Sequence, residues 1–403
     1  MVCWVGSWVD KMTDHYQSIC VKIVGLGAAG LHLVDKLAAV GFPAAQFLVL
    51  DSDRQELQRC QIAEKIQLGE TTRRGWGCSG DVGEGAECVR ADRDRVAGEL
   101  SGSNLVIIVA GLGGGLGGGG AAVVAEIAAE CGALVVALVI EPLDLEGRTE
   151  TACLSLRRLL QVADTVVRMP NQAVMEKQRA GCSVLECFEA SNSHVLESLM
   201  GFGRLMRSDG TLNIDFAHVR KIIAGQHGES FLATVEVAGD ARPRALMDAI
   251  MKHPFLDAGR YFQKARGVVI SLVGSESLSM DEVREFVEHI KAVAPEAQLA
   301  LGVHIDESMA NCVGVMVMLP YPEPATIDGR SNTDAANALQ VNCVQTAANK
   351  GSLLSDAAGA GFAQQQLPLV SISKGRFDKG EPNLYDGKDL DVPTFTRRNI
   401  ILI

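Results

Sequence analysis

Gly111 to Gly120 reads Gly-Leu-Gly-Gly-Gly-Leu-Gly-Gly-Gly-Gly, so only Leu112 and Leu116 carry side chains there. Glycine lets a backbone approach a ligand closely and turn its N–H groups toward it. A helix starting beside such a loop adds partial positive charge, which suits a phosphate. The flanks supply the elements. Leu105 to Ala110 (LVIIVA) is a continuous apolar run, the pattern of a buried parallel strand. Ala121 to Cys131 (AAVVAEIAAEC) carries the apolar face of a helix. A flexible linker is the plain alternative, because glycine-rich chain behaves as random coil. Apolar elements at both ends weigh against it.

A second glycine cluster lies upstream. Val21 to Val24 forms a strand pattern that enters Gly25-Leu26-Gly27-Ala28-Ala29-Gly30. A helical pattern follows through Leu31, Leu33, Val34, Leu37 and Ala38, then a strand from Phe47 to Leu50 ending at Asp51-Ser52-Asp53. Taken alone, Gly-x-Gly-x-x-Gly with an acid closing the next strand matches the dinucleotide fingerprint, Asp51 serving a ribose hydroxyl. An NAD-dependent oxidoreductase is therefore one reading, and a structural turn another. Arg73 to Gly83, with an arginine pair and several glycines, is a surface loop, either a third phosphate-side loop or a solvated turn.

These loops must be held by strands and helices. Ala91 to Leu100 resumes a helix. Leu134 to Ile140 is a buried strand closed by Glu141-Pro142, with Glu146-Gly147-Arg148 just beyond. A helix from Thr149 to Val162 leads to a strand over Thr165 to Arg168 and then Pro170-Asn171. Strand and helix in alternation give an α/β fold with a doubly wound parallel sheet, whose ligands lie at the carboxyl ends of the strands. A longer helical pattern runs from Cys187 to Met206, followed by Asn213-Ile214-Asp215-Phe216-Ala217-His218. A second α/β unit has strands at Phe231 to Val237, Gly267 to Val273, Gln298 to Gly302 and Val313 to Leu319, and helices at Arg242 to Lys252 and Met280 to Val293. It lacks a glycine-rich phosphate loop. Residues 321 to 388 are rich in Pro, Gly, Ala, Asn, Gln and Asp, the composition of a flexible linker. Leu390, Val392 and Phe395 near the end give the tail apolar anchors for docking.

Composition narrows the function. The 403 residues allow two or three domains. A net charge of −12 disfavours a nucleic-acid partner. No apolar run approaches the roughly 20 residues that span a bilayer. The N-terminus shows no secretory signal. Eleven cysteines with no Cys-x-x-Cys pair, the nearest being Cys182 and Cys187, suggest reduced cytoplasmic thiols, not a disulfide framework or a zinc site.

Together these features resemble FtsZ, the bacterial branch of the tubulin family. The resemblance covers residues 20 to 320 and returns at 389 to 398. Ala121 to Ala128 (AAVVAEIA), Lys65 to Glu70 (KIQLGE), Arg74-Gly75-x-Gly77, Leu212 to Arg220 (LNIDFAHVR), Gly302 to Met309 (GVHIDESM) and Leu390 to Arg398 (LDVPTFTRR) carry it. It implies a Rossmann-like GTPase domain over 20–186 after an extension of 1–19. A central helix and catalytic loop (187–220), a second domain (221–320), a linker (321–388) and a docking peptide (389–403) would follow.

The resemblance implies GTP/GDP with Mg²⁺, and no protein metal ligand is assigned. Gly27, Ala28, Ala29, Gly30, Leu31 and His32, with Gly114, Gly115, Leu116, Gly117 and Gly118, would surround the phosphates. Glu146 would reach the ribose, Asn171 the nucleoside, and Phe188 and Asn192 the guanine. Asp215, Asn213 and His218 would act on the γ-phosphate of the neighbouring subunit in a head-to-tail filament. Its partners would be itself, a second FtsZ, and membrane tethers or division regulators at Leu390–Arg398, beneath the inner membrane at the division site.

The chain departs from the family at four places. His218 stands for a catalytic Asp, and Leu116 and Gly118 for two signature threonines. His32 replaces the Asn that closes the first loop. Either Arg148 or Glu150 matches the family's nucleotide-contacting Arg, with charge favouring Arg148. Slow hydrolysis, or a non-catalytic scaffold that co-assembles with another FtsZ, would follow from these changes.

Overall fold

The computed structural model describes residues 19–321, apart from 43–44, 71–73, 179–180, 206–211, 213, 240–241 and 310–311, together with 384–385 and 388–389. Asn213, residues 1–18 and the Leu390–Arg398 peptide lie outside the described residues.

Ten strands form one sheet in the order β3-β2-β1-β4-β5-β6-β7-β10-β8-β9. The first six, β1 (Val21–Leu26), β2 (Ala45–Asp51), β3 (Lys65–Gln67), β4 (Leu105–Gly111), β5 (Leu134–Glu141) and β6 (Thr165–Pro170), are all parallel. The second half contains β7 (Gly228–Ala238), β8 (Gly267–Gly274), β9 (Gln298–Ile305) and β10 (Cys312–Tyr321). There β10 runs antiparallel to both β7 and β8. The halves join through a short parallel ladder between β6 and β7, Thr165–Val167 against Gly228–Ser230. The two α/β units of the sequence thus share a single sheet.

The parallel strands are buried on both faces, which explains their unbroken apolar runs. Alternate residues feed two layers. Ile23, Val49, Ile107 and Val136 face a core shared with the long helix α8 (Val184–Leu205), which contributes Val195, Leu199 and Phe202. Val24, Leu50, Ile108 and Val135 face the opposite layer with the helix α5 (Gly115–Glu130). A third core, around Phe262 and Phe286, belongs to the second half.

Of the helix boundaries that differ from those expected of the sequence, two lie beside the glycine stretch. Helix α5 starts at Gly115, six residues before Ala121, so most of the glycine stretch is helical. The stretch expected to be a surface loop up to Gly83 already starts helix α3 at Val82, which runs to Ala91. Packing overrides the poor helix propensity of glycine at these points. A Cβ at Gly119 would collide with the Val82 carbonyl, and one at Gly85 with the Gly115 carbonyl. The two helices approach so closely that only bare backbone fits between them.

The remaining helices are α1 (Gly27–Val40), α2 (Arg54–Arg59), α4 (Arg93–Leu100), α6 (Thr149–Leu160), α7 (Asn171–Lys177), α9 (Phe216–Ile223), α10 (Arg242–Lys252) and α11 (Met280–Val293). Leu384–Tyr385 pairs antiparallel with Lys388–Asp389, where the stretch expected to be a linker meets the one expected to be a docking peptide.

Candidate functional site

The carboxyl ends of β1, β2, β4 and β5 open onto a cleft of about 360 Å³. Helices α1 and α5 both begin at its floor. Gly27 turns the chain there with φ +69°, a left-handed conformation that side chains other than glycine rarely adopt. Its Cβ position lies 3.2 Å from the Gly117 nitrogen, so the two helix starts meet. Neither helix has a side-chain cap, because Leu26 and Gly114 occupy the cap positions. Neither has an acidic residue in its first turn. Backbone donors of both first turns therefore have no side-chain acceptor, and both helix dipoles point the same way. Such an arrangement attracts an anion.

Of the residues the sequence singled out, Gly27, Ala28, Ala29, Gly114, Gly115, Leu116 and Gly117 line this cleft, with Glu146, Arg148, Asn171 and Phe188 around its mouth. Arg148 lies against the glycine loop, its Cδ 3.3 Å from the Cβ position of Gly113. Of the pair left open by the sequence, Arg148 lines the cleft and exposed Glu150 does not. Asn171 accepts a hydrogen bond from the buried Ser191 hydroxyl, which ties α7 to α8. Phe188 keeps 37% of its surface exposed on the first turns of α8.

Other expected residues lie off the cleft wall. Leu31 is a core residue, pointed away from the ligand side by the turn of α1. His32 is exposed beside it. Gly30 packs α1 onto β4, where a Cβ would collide with the Val109 carbonyl. Gly118 faces α6, with its Cβ position 2.7 Å from Ser155 Oγ. Asn192 is half-buried on α8 and does not line the cleft.

Sequence reasoning missed Ser52, Asp53, Glu56, Glu141 and Pro142 as lining groups; Gly77 and Cys78, which also line the cleft, lie in the Arg73 to Gly83 stretch that the sequence left open as a phosphate-side loop or a solvated turn. Asp51 lines the cleft too, a residue the sequence offered only for a dinucleotide ribose. Position after a strand is the signal that could have found most of them, since β2 ends at Asp51 and β5 at Glu141. Asp51 is 4% exposed, and its Oδ2 is buried with no hydrogen-bond partner among the described residues. Burial pushes its carboxyl up to about 6, against the hydrogen bond its Oδ1 accepts from the Asp53 N–H at 2.9 Å. Glu141 is held by Arg168, which also donates to Glu229 of β7 at 3.1 Å. This partly buried ion triad spans β5, β6 and β7. Burial opposes the charge on Arg168, but the two carboxylates outweigh it and raise its pKa.

Asp215 and His218 sit elsewhere. Asp215 caps α9, accepting from the Ala217 N–H at 2.9 Å, and His218 follows in the first turn of that helix. Both are exposed. The segment before them is pinned to β9: Leu212 and Val303 exchange backbone hydrogen bonds at 3.1 and 2.9 Å, and Ile214 packs on Gly302. Neither residue lines the cleft of its own chain.

A family profile described as "Tubulin/FtsZ family, GTPase domain" matches residues 20–178, and one described as "FtsZ family, C-terminal domain" matches residues 228–320. The chain belongs to the tubulin/FtsZ family. Members of that family are GTPases that bind GTP or GDP with Mg²⁺. A cell division protein FtsZ of Coxiella burnetii is 29% identical over 389 residues, 95% of this chain and 97% of the relative. One of Pseudomonas putida is 27% identical over 95% of this chain and 97% of the relative. Among solved structures, an empty FtsZ dimer of M. jannaschii aligns with a TM-score of 0.72 at 29% identity, over 78% of this chain and 91% of that one. A protofilament of CetZ2 from Haloferax volcanii, at 20% identity and a TM-score of 0.66, shares the fold. The family places the glycine clusters in a guanine-nucleotide GTPase, so the dinucleotide reading of Gly25 to Asp51 is set aside. Among the described residues no helix is long and apolar enough to cross a membrane.

Proposed function

We propose that this chain is an FtsZ-like GTPase that assembles head to tail, and that hydrolysis needs two copies. The observation that carries this reading is the division of labour in the site. Two uncapped helix starts form the anion floor of one cleft, while Asp215 and His218 stand exposed and outside it. A copy whose α9 faced the cleft of the next would complete the site, and a head-to-tail contact of that kind repeats into a filament. The M. jannaschii FtsZ dimer is consistent with self-association.

Within the cleft, the first turns of α1 and α5 would donate N–H bonds to the phosphates. Arg148 would add the charge-assisted contact. Asn171 and Phe188 would meet the nucleoside, the ring offering its face to a purine. The other charged lining groups are Asp51, Asp53, Glu56, Glu141 and Glu146, with Arg148 the only cation among the described lining residues. Such a wall repels a triphosphate unless a divalent cation stands between. Asp51, with its unpartnered Oδ2, is the group best placed to face that cation. Mg²⁺ would supply charge neutralisation of the phosphates. On the opposing surface, Asp215 would orient the attacking water. His218 brings a base without a fixed negative charge. Slow turnover is the expected result, in a cytoplasmic polymer at the division site whose tail peptide recruits tethers.

Right-angle light scattering with Mg²⁺ and GTP, run alongside phosphate release, tests this. Scattering that rises and persists with little phosphate supports assembly with slow hydrolysis, and His218→Asp should then speed phosphate release. No nucleotide binding at all would sink the reading. Binding without assembly would favour a subunit that needs a second FtsZ.

A further inference from the structure

Helix α8 begins with Ser183 and Glu186 in a reciprocal cap. The Glu186 N–H donates to Ser183 Oγ at 3.2 Å, and the Ser183 N–H donates to Glu186 Oε2 at 2.7 Å. In such a start, the residue before the cap and the one four places after it face each other, and an apolar pair there clamps the entry of the chain. Here those two positions are Cys182 and Cys187. Their sulfurs stand 2.7 Å apart, inside the ordinary contact distance of two non-bonded sulfur atoms. Both residues are partly exposed, so a small thiol reagent can reach them. The other close pair, Cys78 and Cys88 at 3.6 Å, is buried. Phe188, on the wall of the cleft, is the next residue after Cys187.

We infer that Cys182 and Cys187 form a reversible disulfide that locks this helix start and with it the position of Phe188 at the cleft. The first half of the inference stands on the geometry alone, and the effect on ligand rests on the nucleotide reading above. The oxidant is a small disulfide such as glutathione disulfide. One cysteine thiolate attacks it, forming a mixed disulfide and releasing one glutathione thiolate. The second cysteine attacks the protein sulfur of that mixed disulfide and releases the other. The two protein protons pass to the two glutathione thiolates, and two electrons leave the protein. The ring closed is short, so the bond adds little global stability and suits a switch better than a staple. In a reducing compartment it would form only on an oxidative shift.

The test uses the full chain equilibrated in glutathione buffers of stepped poise, then trapped with N-ethylmaleimide and digested with trypsin. The peptide 180–204 contains only these two cysteines. In oxidising buffer it should carry no label and be two hydrogens lighter; in reducing buffer it should carry both labels. Cys182→Ser should carry one label in reducing buffer and either that label or one glutathione in oxidising buffer, never the two-hydrogen loss. Two labels at every poise would overturn the disulfide. Binding of a fluorescent GDP analogue is read on the same samples. Oxidation should tighten it about threefold to tenfold, by removing the ordering cost of one side chain. The Cys182→Ser/Cys187→Ser variant should not respond. A disulfide with unchanged affinity would overturn its link to the cleft. Reduced protein that binds no nucleotide would defeat the nucleotide reading and the link together, while the labelling still decides the disulfide.

Discussion

Helices α5 and α11 each follow a buried strand of the same sheet, yet their first turns are opposites. Helix α11 caps itself: Ser279 Oγ accepts from the Glu282 N–H at 3.2 Å, Glu282 reaches back to the Ser279 N–H at 2.9 Å, and Asp281 adds a second acid. Helix α5 follows Gly114 with neither a side-chain cap nor an acid in its first turn. The carboxylates differ in the same sense. Glu282 is pulled up by burial, but hydrogen bonds from Arg242 and Ser279 outweigh this and hold it below its ordinary range. Among the described residues no cation answers the burial of Asp51, which rises to about 6. Helix α11 satisfies its own first turn with its own side chains. The first half leaves two helix starts and an acid without a partner among the described residues around one cleft, and it is their convergence there that marks the place for a ligand.

The contrast can be sharpened first at Asp51. Its folded pKa lies above the unfolded value, so its favourable contribution is full below about 3.8 and is lost as pH rises through about 6. The shift from 3.8 to about 6 corresponds to a ceiling of about 3 kcal/mol at neutral pH. Urea unfolding of Asp51→Asn should show a gain of that order at pH 8 that vanishes at pH 4. The same variant should need more Mg²⁺ for half-maximal nucleotide binding. Equal stability at both pH values would show that Asp51 is not a strained acid.

Gly114→Asp would give α5 the kind of cap that α11 has. A side chain fits, since the nearest atom to its Cβ position is the Gly111 oxygen at 3.9 Å. The carboxylate would answer the free N–H groups and repel phosphate. Isothermal titration should show about a 100-fold loss of GDP affinity, with thermal stability kept or raised by about 1 kcal/mol. Retained affinity would break the comparison outright.

Arg148→Ala should weaken GDP binding about tenfold, the scale of one charge-assisted hydrogen bond, while Glu150→Ala leaves it within about twofold. The reverse order would show that Glu150, not Arg148, makes the contact to the nucleotide. The smallest effect belongs to the control: Ser279→Ala should cost about 1 kcal/mol of stability and leave nucleotide affinity unchanged.

Much of this was legible in the chain. The apolar runs at Leu105 and Leu134 gave buried parallel strands, because strands covered on both faces leave no polar side to alternate with. Helices at Arg242 to Lys252 and Met280 to Val293 fell where their periodicity put them. Both glycine clusters lie at strand ends facing one cleft, which their order after apolar runs already implied.

Only the tertiary structure decided the rest. Glycine is a poor helix former, so local propensity could not show that Gly115 to Gly120 are helical; the close approach of α3, which leaves no room for a Cβ at Gly119, is what requires glycine within that helix. The acid at Asp51 and the Arg168 triad draw their energetics from residues distant in sequence, and burial is a property that spacing does not encode. The placement of Arg148 against Gly113, with Glu150 outside, depends on how the chain turns after β5. The residue types and their order determined which chemistry was possible. The folded packing selected which of those residues face the ligand and which face each other.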